Sequence, residues 1–243
     1  AQTAATTVVR PAVDPENLNA YSAGIKSEFL NKRLRFNAEA WFYDYKNIQV
    51  VNQVVGAQIL TNAGAAEIKG IDFEVTALPL QNLTLNAAVS IADGEYTKFP
   101  GGPTFYGTQA IPGDPNSCTF APAPTPSPAH AQLACNLKGR KTVQTIPLSV
   151  NVTATYRIPT DFGPFDLTAG WSHGGDFYWE ADNDRDSYQK KTDVFNASIQ
   201  WSTLDEKYSV RVFGRNLGQE KYYAYGANSA TSNFKYSPAA PRS

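Results

Sequence analysis

The sequence predicts an all-β, antiparallel fold that forms a segment of a transmembrane β-barrel. Eight segments alternate between polar and apolar residues with a period of two. These segments are 11 to 16 residues long, whereas strands of soluble proteins are usually about 5 to 6 residues long and membrane-spanning strands need about 9 to 11. The connections between the segments alternate strictly between short and long. Outer-membrane barrels have this asymmetry, with tight turns at one end and extended loops at the other.

The first four strands are predicted at 19–29, 33–47, 67–78 and 82–97. In the second, "RLRFNAEAWFYDYKN", one face is uncharged and the other carries Arg33, Arg35 and Glu39. The uncharged faces of the second, third and fourth strands consist of Leu34, Phe36, Ala38, Ala40 and Phe42; Ile71, Phe73, Val75 and Ala77; and Leu83, Leu85, Ala87, Val89 and Ile91.

The last four strands are predicted at 146–158, 164–178, 192–202 and 206–216. Their apolar positions include Leu148, Val150, Val152, Ala154 and Tyr156; Phe195, Ala197, Ile199 and Trp201; and Tyr208, Val210 and Val212. Asn, Ser, Thr and charged residues occupy the alternate positions. We expect lipid on the apolar face and a watered or plugged interior on the polar face, because charges such as Arg33 or Arg35 turned toward lipid would each cost roughly 2 to 4 kcal/mol near the midplane.

The predicted connections are short at 30–32, 79–81, 159–163 and 203–205, and long at 48–66, 98–145 and 179–191. With the first connection short, the first strand begins and the eighth strand ends on the long-loop side. Small eight-stranded outer-membrane barrels keep their termini on the other side. The pattern therefore favours a segment of a larger barrel, whose edge strands pair with further strands because lipid cannot satisfy their backbone groups.

Composition and charge exclude other classes of protein. The formal net charge is −1 and the isoelectric point is near 6.2, with no run of basic residues, so no nucleic acid is expected as a partner. No stretch of 18 apolar residues predicts a transmembrane helix, and no signal peptide is recognisable. The mean hydropathy of −0.37 is compatible with a barrel, whose alternating strands give a weak hydropathy signal.

Four stretches resemble the C-terminal part of a TonB-dependent outer-membrane receptor. They are "DPENLNAYSAGIKSEF", "NAEAWFYDYKNIQ", "TNAGAAEIKGIDFEVTALPLQNLTLNAAVSIADGEY" and "YSVRVFGRNLGQEKYY". Their order and spacing are more specific than any one of them alone. The resemblance covers nearly the whole chain except the insertion at 98–145.

The resemblance implies that residues 1–243 are a partial C-terminal barrel domain, about eight strands of a roughly 22-stranded barrel. An N-terminal plug domain and a last strand would lie outside this chain, and 98–145 would be a long extracellular loop. The implied function is active uptake of a scarce, bulky solute such as an iron chelate, a vitamin or an oligosaccharide across a Gram-negative outer membrane. The implied partners are lipid, the remaining strands of the barrel, the ligand and the TonB complex, which acts through the plug. No cofactor is implied.

Two other functions stay open. A passive porin or structural outer-membrane barrel would lack the plug and the TonB box. A soluble carbohydrate-binding β-domain would extract into buffer without detergent. An enzyme is not expected, because His130 and His173 lie far apart and neither a G-x-S-x-G nucleophile elbow nor a phosphate-binding loop is present.

Cys118 and Cys135 flank the proline-rich stretch "TFAPAPTPSPAHAQLA" in the longest loop. The exported setting favours a disulfide between them, which would restrain a loop with little hydrophobic pattern. Two free thiols and a metal pair with His130 are the alternatives. In "EADNDRDSYQKKTD", Asp182, Asp184 and Asp186 resemble the first ligands of a calcium loop. Ser187 and Asp193 break the EF-hand pattern, so a solvated surface loop is the main interpretation and calcium the weaker one.

Aromatic residues cluster where strands leave the apolar segments, and the main interpretation is a girdle at the membrane interface. The clusters are Trp41, Tyr43 and Tyr45; Tyr96, Phe99, Phe105 and Tyr106; Phe177, Tyr178 and Trp179; and Tyr222, Tyr223 and Tyr225. Tyr106, Trp179 and Tyr225 are candidates for ligand contact. Arg211 and Arg215 face the interior by parity, where they would either pair with plug carboxylates or line the path of an anionic ligand.

Overall fold

A computed structural model of the protein describes residues 12–54, 57–104, 133–183, 187–229 and 232–241. The fold in these ranges is built from β-strands. They are β1 (Asn17–Phe29), β2 (Leu34–Val54), β3 (Ala57–Leu80), β4 (Leu83–Lys98), β5 (Gly102–Thr104), β6 (Leu133–Cys135), β7 (Leu148–Ile158), β8 (Phe165–Gly174), β9 (Phe177–Tyr178), β10 (Tyr188–Gln189), β11 (Thr192–Ser202), β12 (Ser209–Gly214), β13 (Tyr223–Ser229) and β14 (Ser232–Pro238). No helix long and apolar enough to cross a membrane is found in the described ranges.

Eight strands form one antiparallel sheet in the order β1-β2-β3-β4-β7-β8-β11-β12. Strands β5/β6, β9/β10 and β13/β14 form separate two-stranded pairs. The eight strands of the sheet correspond one to one to the predicted strands and follow the same order. The predicted all-β, antiparallel fold is therefore confirmed.

The hairpin of β2 and β3 is longer than predicted. The two strands pair out to Val54 and Ala57, so the prediction of a loop over 48–66 was wrong. The register shifts around Asn47, whose φ of 56° is left-handed, and pairing then resumes. Such a bulge disturbs one position without ending a ladder. The apolar and β-branched residues of "IQVV" extend the strand beyond it.

Cross-strand register divides the sheet into two faces, because directly opposite residues point the same way. One row of paired residues runs Phe36, Val75, Ala87, Val152, Trp171 and Phe195 across six strands. A row of the other face runs Arg35, Thr76, Asn86 and Thr153. We call the two surfaces the apolar face and the polar face.

On the apolar face, the residues without ionisable side chains form a band, which we call the apolar band. This band crosses the rows of paired residues at an angle. On the apolar face, the first ionisable residue toward the long loops is Asp44 on β2, whereas it is His173 on β8 and Asp193 on β11. The row of Asp193 and His173 leads back through Val150, Val89 and Phe73 to Ala38. Ala38 lies six residues before Asp44, so the boundary shifts by six residues over five strand-to-strand steps.

This shift measures the strand tilt. With about 3.3 Å per residue along a strand and about 4.8 Å between strands, it corresponds to a tilt of about 40° between the strands and the normal of the apolar band. Strands of transmembrane barrels are tilted by about 35 to 45°.

Short turns join the strands at one end of the sheet. Leu30, Asn31 and Lys32 all have positive φ angles in the β1–β2 turn. In the β7–β8 turn, Gly163 has a φ of 120°, and a Cβ there would lie 2.0 Å from the carbonyl oxygen of Ser202. Glycine is required at that position, both by its backbone conformation and by the close approach of the neighbouring turn.

The buried apolar core lies at the long-loop end and not in the middle of the sheet. Among the described residues it consists of Ala66, Tyr96, Phe99 and Leu137, each at most 6% exposed. Phe99 and Leu137 belong to the long β4–β7 connection, and the backbone N–H of Leu137 donates to the carbonyl of Phe99. The described parts of this connection therefore pack onto β3 at Ala66 and onto the end of β4 at Tyr96.

Candidate functional site

The polar face carries opposite charges on its two halves. On β1 to β4, four carboxylates (Glu28, Glu39, Asp72 and Glu74) share the polar face with three cations (Lys26, Arg33 and Arg35), and Glu28 pairs with Arg35 at 2.9 Å. On β7 to β12, Arg157 and Asp166 pair through two hydrogen bonds of 2.8 Å. Arg211 and Arg215 remain as charges without an acidic partner among the described residues. One half is thus acidic and the other basic.

Trp41 anchors the acidic half. Its Nε1 donates a 2.8 Å hydrogen bond to Asp72, whose other carboxylate oxygen accepts a 2.6 Å bond from the Ser90 hydroxyl. The indole covers Gly70, where a Cβ would lie 2.4 Å from the ring. The ring also stacks on Tyr43, with centroids 4.8 Å apart. A glycine inside a strand leaves space that a cross-strand aromatic residue fills.

These contacts correct the girdle prediction for Trp41, Tyr43 and Tyr45. Register places all three on the polar face, since they are opposite Gly70, Ile68 and Ala66. Alternation in the sequence already places Trp41 on the face of Arg33 and Glu39, and Tyr43 and Tyr45 have the same parity, so the girdle interpretation disagreed with the strand pattern. On the apolar face, Trp171 lies one row below His173 and Asp193, and it has the position of an interfacial aromatic residue.

The basic half forms a groove of about 430 Å³. Arg211 Nη2 donates to the Ser198 hydroxyl at 3.0 Å, and the Arg215 guanidinium lies 4.9 Å from the centre of the Phe213 ring. The other lining side chains are mostly small or uncharged and polar, namely Asn151, Thr153, Thr168, Ser172 and Asn196. The structure therefore places both predicted arginines in one groove, where guanidinium and amide donors could bind an anionic or oxygen-rich molecule.

Two other predicted ligand-contact residues, Trp179 and Tyr225, lie together above the long-loop end. Their ring centres are 6.2 Å apart, and Phe177 meets Trp179 edge to face at 4.9 Å. The Trp179 indole nitrogen is buried without a hydrogen-bond partner among the described residues. Tyr225 is 60% exposed. The pair thus combines one half-buried and one exposed aromatic ring.

Hydrogen bonds hold the segment before β1 at the long-loop end of the sheet. They involve residues that the sequence pattern did not single out. Two hydrogen bonds join Asp14 to the side chain of Asn62. The backbone N–H of Asp14 donates to Asn62 Oδ1, and Asn62 Nδ2 donates to the backbone carbonyl of Asp14. Glu16 accepts from the backbone N–H of Gln49 at 2.6 Å and from the Tyr45 hydroxyl at 2.7 Å. These bonds, chiefly the one from Gln49, hold the pKa of Glu16 below its usual value. No local pattern could have revealed contacts between residues more than 28 positions apart.

Several predicted sites lie outside the described residues. These are Tyr106, Cys118, Asp184 and Asp186, and only the backbone of Cys135 is described, in β6. The disulfide and the calcium site therefore stay predictions. Asp182 is buried at 2% exposure. Within the described ranges, no group of three His, Cys, Asp or Glu side chains could hold a metal ion.

A tilted antiparallel sheet with one apolar and one polar face, with short turns at one end and an extended hairpin and long connections at the other, is the architecture of an outer-membrane β-barrel wall. A family model described as "TonB dependent receptor-like, beta-barrel" matches residues 1–217. The chain therefore belongs to the TonB-dependent receptor β-barrel family.

Solved structures share the fold. The ferric yersiniabactin uptake receptor FyuA from Yersinia pestis matches with a TM-score of 0.69 and 16% identity over 93% of this chain and 28% of that chain. The siderophore receptor PiuA from Acinetobacter baumannii matches with a TM-score of 0.66 and 15% identity over 95% and 28%. The copper transporter OprC matches with a TM-score of 0.61 and 11% identity over 95% and 31%. The chain thus spans less than a third of the length of each.

Proposed function

We propose that this chain is part of the wall of a TonB-dependent outer-membrane receptor that takes up a scarce, bulky solute. The observation that carries the proposal is the tilted apolar band of the sheet. The chain belongs to a family whose members are receptors of this type. Ile91, Ile199 and Val212 are 50%, 51% and 70% exposed on this face. A soluble protein would cover such a surface, whereas hydrocarbon solvates it.

In this orientation the short turns lie in the periplasm and the long connections lie outside the cell. The polar face lines the interior, where a plug domain and the passing solute would contact it. Trp179 and Tyr225 would meet the solute first, since they lie among the long connections, and Arg211 and Arg215 would line its path further in. Iron chelates are the leading solute class, because two of the similar structures described above are a ferric yersiniabactin uptake receptor and a siderophore receptor. A vitamin or an oligosaccharide is the alternative cargo.

Uptake with and without TonB tests the proposal. The full-length protein is expressed in cells that lack their other iron receptors, and radioactive iron is supplied as catecholate, hydroxamate and carboxylate chelates. We expect uptake of at least one chelate that disappears when TonB is deleted. Uptake that is indifferent to TonB would favour a passive porin. Recovery of the protein in buffer without detergent would favour a soluble β-domain.

A further inference from the structure

A groove of about 530 Å³ crosses the apolar face of β7, β8, β11 and β12. Its floor is one row of directly paired small residues, Ala154, Ala169, Ala197 and Gly214. The wall toward the short turns is the next row, Tyr156, Leu167, Ile199 and Val212. On the opposite side of the floor, the next row of paired residues is Val152, Trp171 and Phe195, which we count as the second wall from the register. Large side chains thus lie on both sides of a floor that consists only of alanine and glycine.

The tilt of the strands determines how the groove lies relative to the apolar band. From β2 to β11, the long-loop edge of the apolar band shifts toward the short turns relative to the rows of paired residues. A single row therefore comes closer to that edge as it passes from β7 to β12. The floor therefore runs obliquely, from near the polar boundary at Gly214 toward the middle of the band at Ala154. A straight, flexible apolar chain entering from the boundary would fit this course.

Polar groups mark the boundary directly beside the groove. The Asp193 carboxylate accepts hydrogen bonds of 2.9 Å from both Trp171 Nε1 and His173 Nδ1. The His173 side chain is only 17% exposed although it lies on the apolar face. Trp and His at this level are suited to the headgroup region, where one part of the ring is in hydrocarbon and the other can form hydrogen bonds.

We propose that the groove binds one acyl chain of a bilayer lipid, with the headgroup of that lipid at the level of His173 and Asp193. This inference rests on the proposed function, since it requires the apolar face to lie in a membrane. An acyl chain fits better than a protein segment for two reasons. The groove follows the oblique course from headgroup level into hydrocarbon, and its floor and wall side chains are apolar apart from the Tyr156 hydroxyl and the Trp171 indole N–H, which is bonded to Asp193.

Filling the floor tests the proposal. The full-length protein, its Ala169→Leu/Ala197→Leu variant and a control variant Ala40→Leu are purified from outer membranes in a mild detergent. All three alanines are exposed on the apolar face, but Ala40 lies on β2 outside the groove. The proteins are placed in nanodiscs of phosphatidylethanolamine and phosphatidylglycerol, and lipids that stay bound after release from the disc are counted by native mass spectrometry.

We expect one retained lipid on the wild type and on Ala40→Leu, and a reduction of about tenfold or more on the filled variant, which corresponds to about 1.4 kcal/mol. Equal retention by all three proteins, or none by the wild type, overturns the proposal. A second barrel copy in place of lipid also overturns it. Far-UV circular dichroism checks that the filled variant is folded, and the single variant Ala169→Leu replaces it if it is not.

Membrane fractionation separates this proposal from the proposed function. Failure to find the wild type in the outer membrane would refute both. TonB-dependent uptake together with absent lipid retention would refute the groove alone.

Discussion

The indole nitrogen of Trp41 and the carboxylate of Asp72 form a 2.8 Å hydrogen bond between β2 and β3 on the polar face of the sheet. Glu39 is directly opposite Asp72, and like charges in that position destabilise a strand pair. Donors from Trp41 and Ser90 compensate one of the two carboxylates. The acidic half of the polar face therefore depends on an aromatic residue for part of its stability.

Replacing Trp41 should show both parts of this role. Trp41→Phe keeps a ring over Gly70 but removes the donor to Asp72, and we expect a loss of about 1 kcal/mol in the free energy of unfolding. Trp41→Ala removes the ring as well and should cost roughly 2 to 3 kcal/mol. Unfolding of the full-length protein in detergent, followed by circular dichroism, measures both changes. Equal effects of the two variants would contradict the contribution of the ring.

Gly70 should not tolerate a side chain. A Cβ at this position would lie 2.4 Å from the Trp41 ring and 2.7 Å from the carbonyl oxygen of Ile91, so Gly70→Ala should destabilise the protein by roughly 1 to 3 kcal/mol. Gly170→Ala is the matched control on the polar face, where the nearest atoms lie 3.7 Å away. That variant should be neutral or more stable by about 0.5 to 1 kcal/mol. Equal changes in the melting temperatures of Gly70→Ala and Gly170→Ala would contradict this explanation.

Arg33 should hold the turn between β3 and β4 in place. Its Nε and Nη2 donate 3.0 Å hydrogen bonds to the carbonyls of Leu78 and Pro79, where β-pairing is irregular. Arg33→Lys keeps the charge but loses the two-pronged geometry, and should cost about 1 kcal/mol of unfolding free energy. Lys32→Gln in the same region serves as the control. A loss from Lys32→Gln as large as that from Arg33→Lys would show that the turn is sensitive to substitution in general and that the two hydrogen bonds of Arg33 are not the cause.

Acid should release the segment before β1. The pKa of Glu16 in the folded protein is below its unfolded value because Gln49 and Tyr45 donate to the carboxylate. Its stabilising contribution is therefore complete above the ordinary pKa of 4.5 and is lost as the pH falls through the lowered value. Limited proteolysis near residue 14 at a series of pH values measures the release.

The variant Glu16→Gln should be cleaved readily at neutral pH, because an amide accepts these hydrogen bonds more weakly than a carboxylate. Protection that is independent of pH in the wild type would rule out Glu16 as the group responsible.

Arg211 and Arg215 should affect the affinity for solute rather than the stability of the barrel. For a chelate that the receptor takes up, Arg211→Gln/Arg215→Gln should raise the half-saturating concentration about tenfold, since bonds to a charged group contribute about 1.5 to 3 kcal/mol. Lys26→Gln, which removes a positive charge from the acidic half of the same face, is the control. A lower melting temperature with unchanged uptake would instead indicate that the arginines pair with carboxylates of the protein.

The sequence by itself determined the strands and their faces. Alternation along "RLRFNAEAWF" or "LTLNAAVSI" fixes which side chains share a face, because successive side chains of one strand point to opposite sides and no other strand is needed to define this. The same alternation predicted that Arg211 and Arg215 would share the polar face.

Only the tertiary structure decided which residues become neighbours across strands. The contact of Trp41 with Asp72, the row Ala154, Ala169, Ala197 and Gly214, and the tilt of the apolar band all depend on register. A shift of two residues between neighbouring strands keeps every face and changes every pair. Since alternation repeats after two residues, it carries no information about that choice, which the turns, bulges and packing of the whole sheet make.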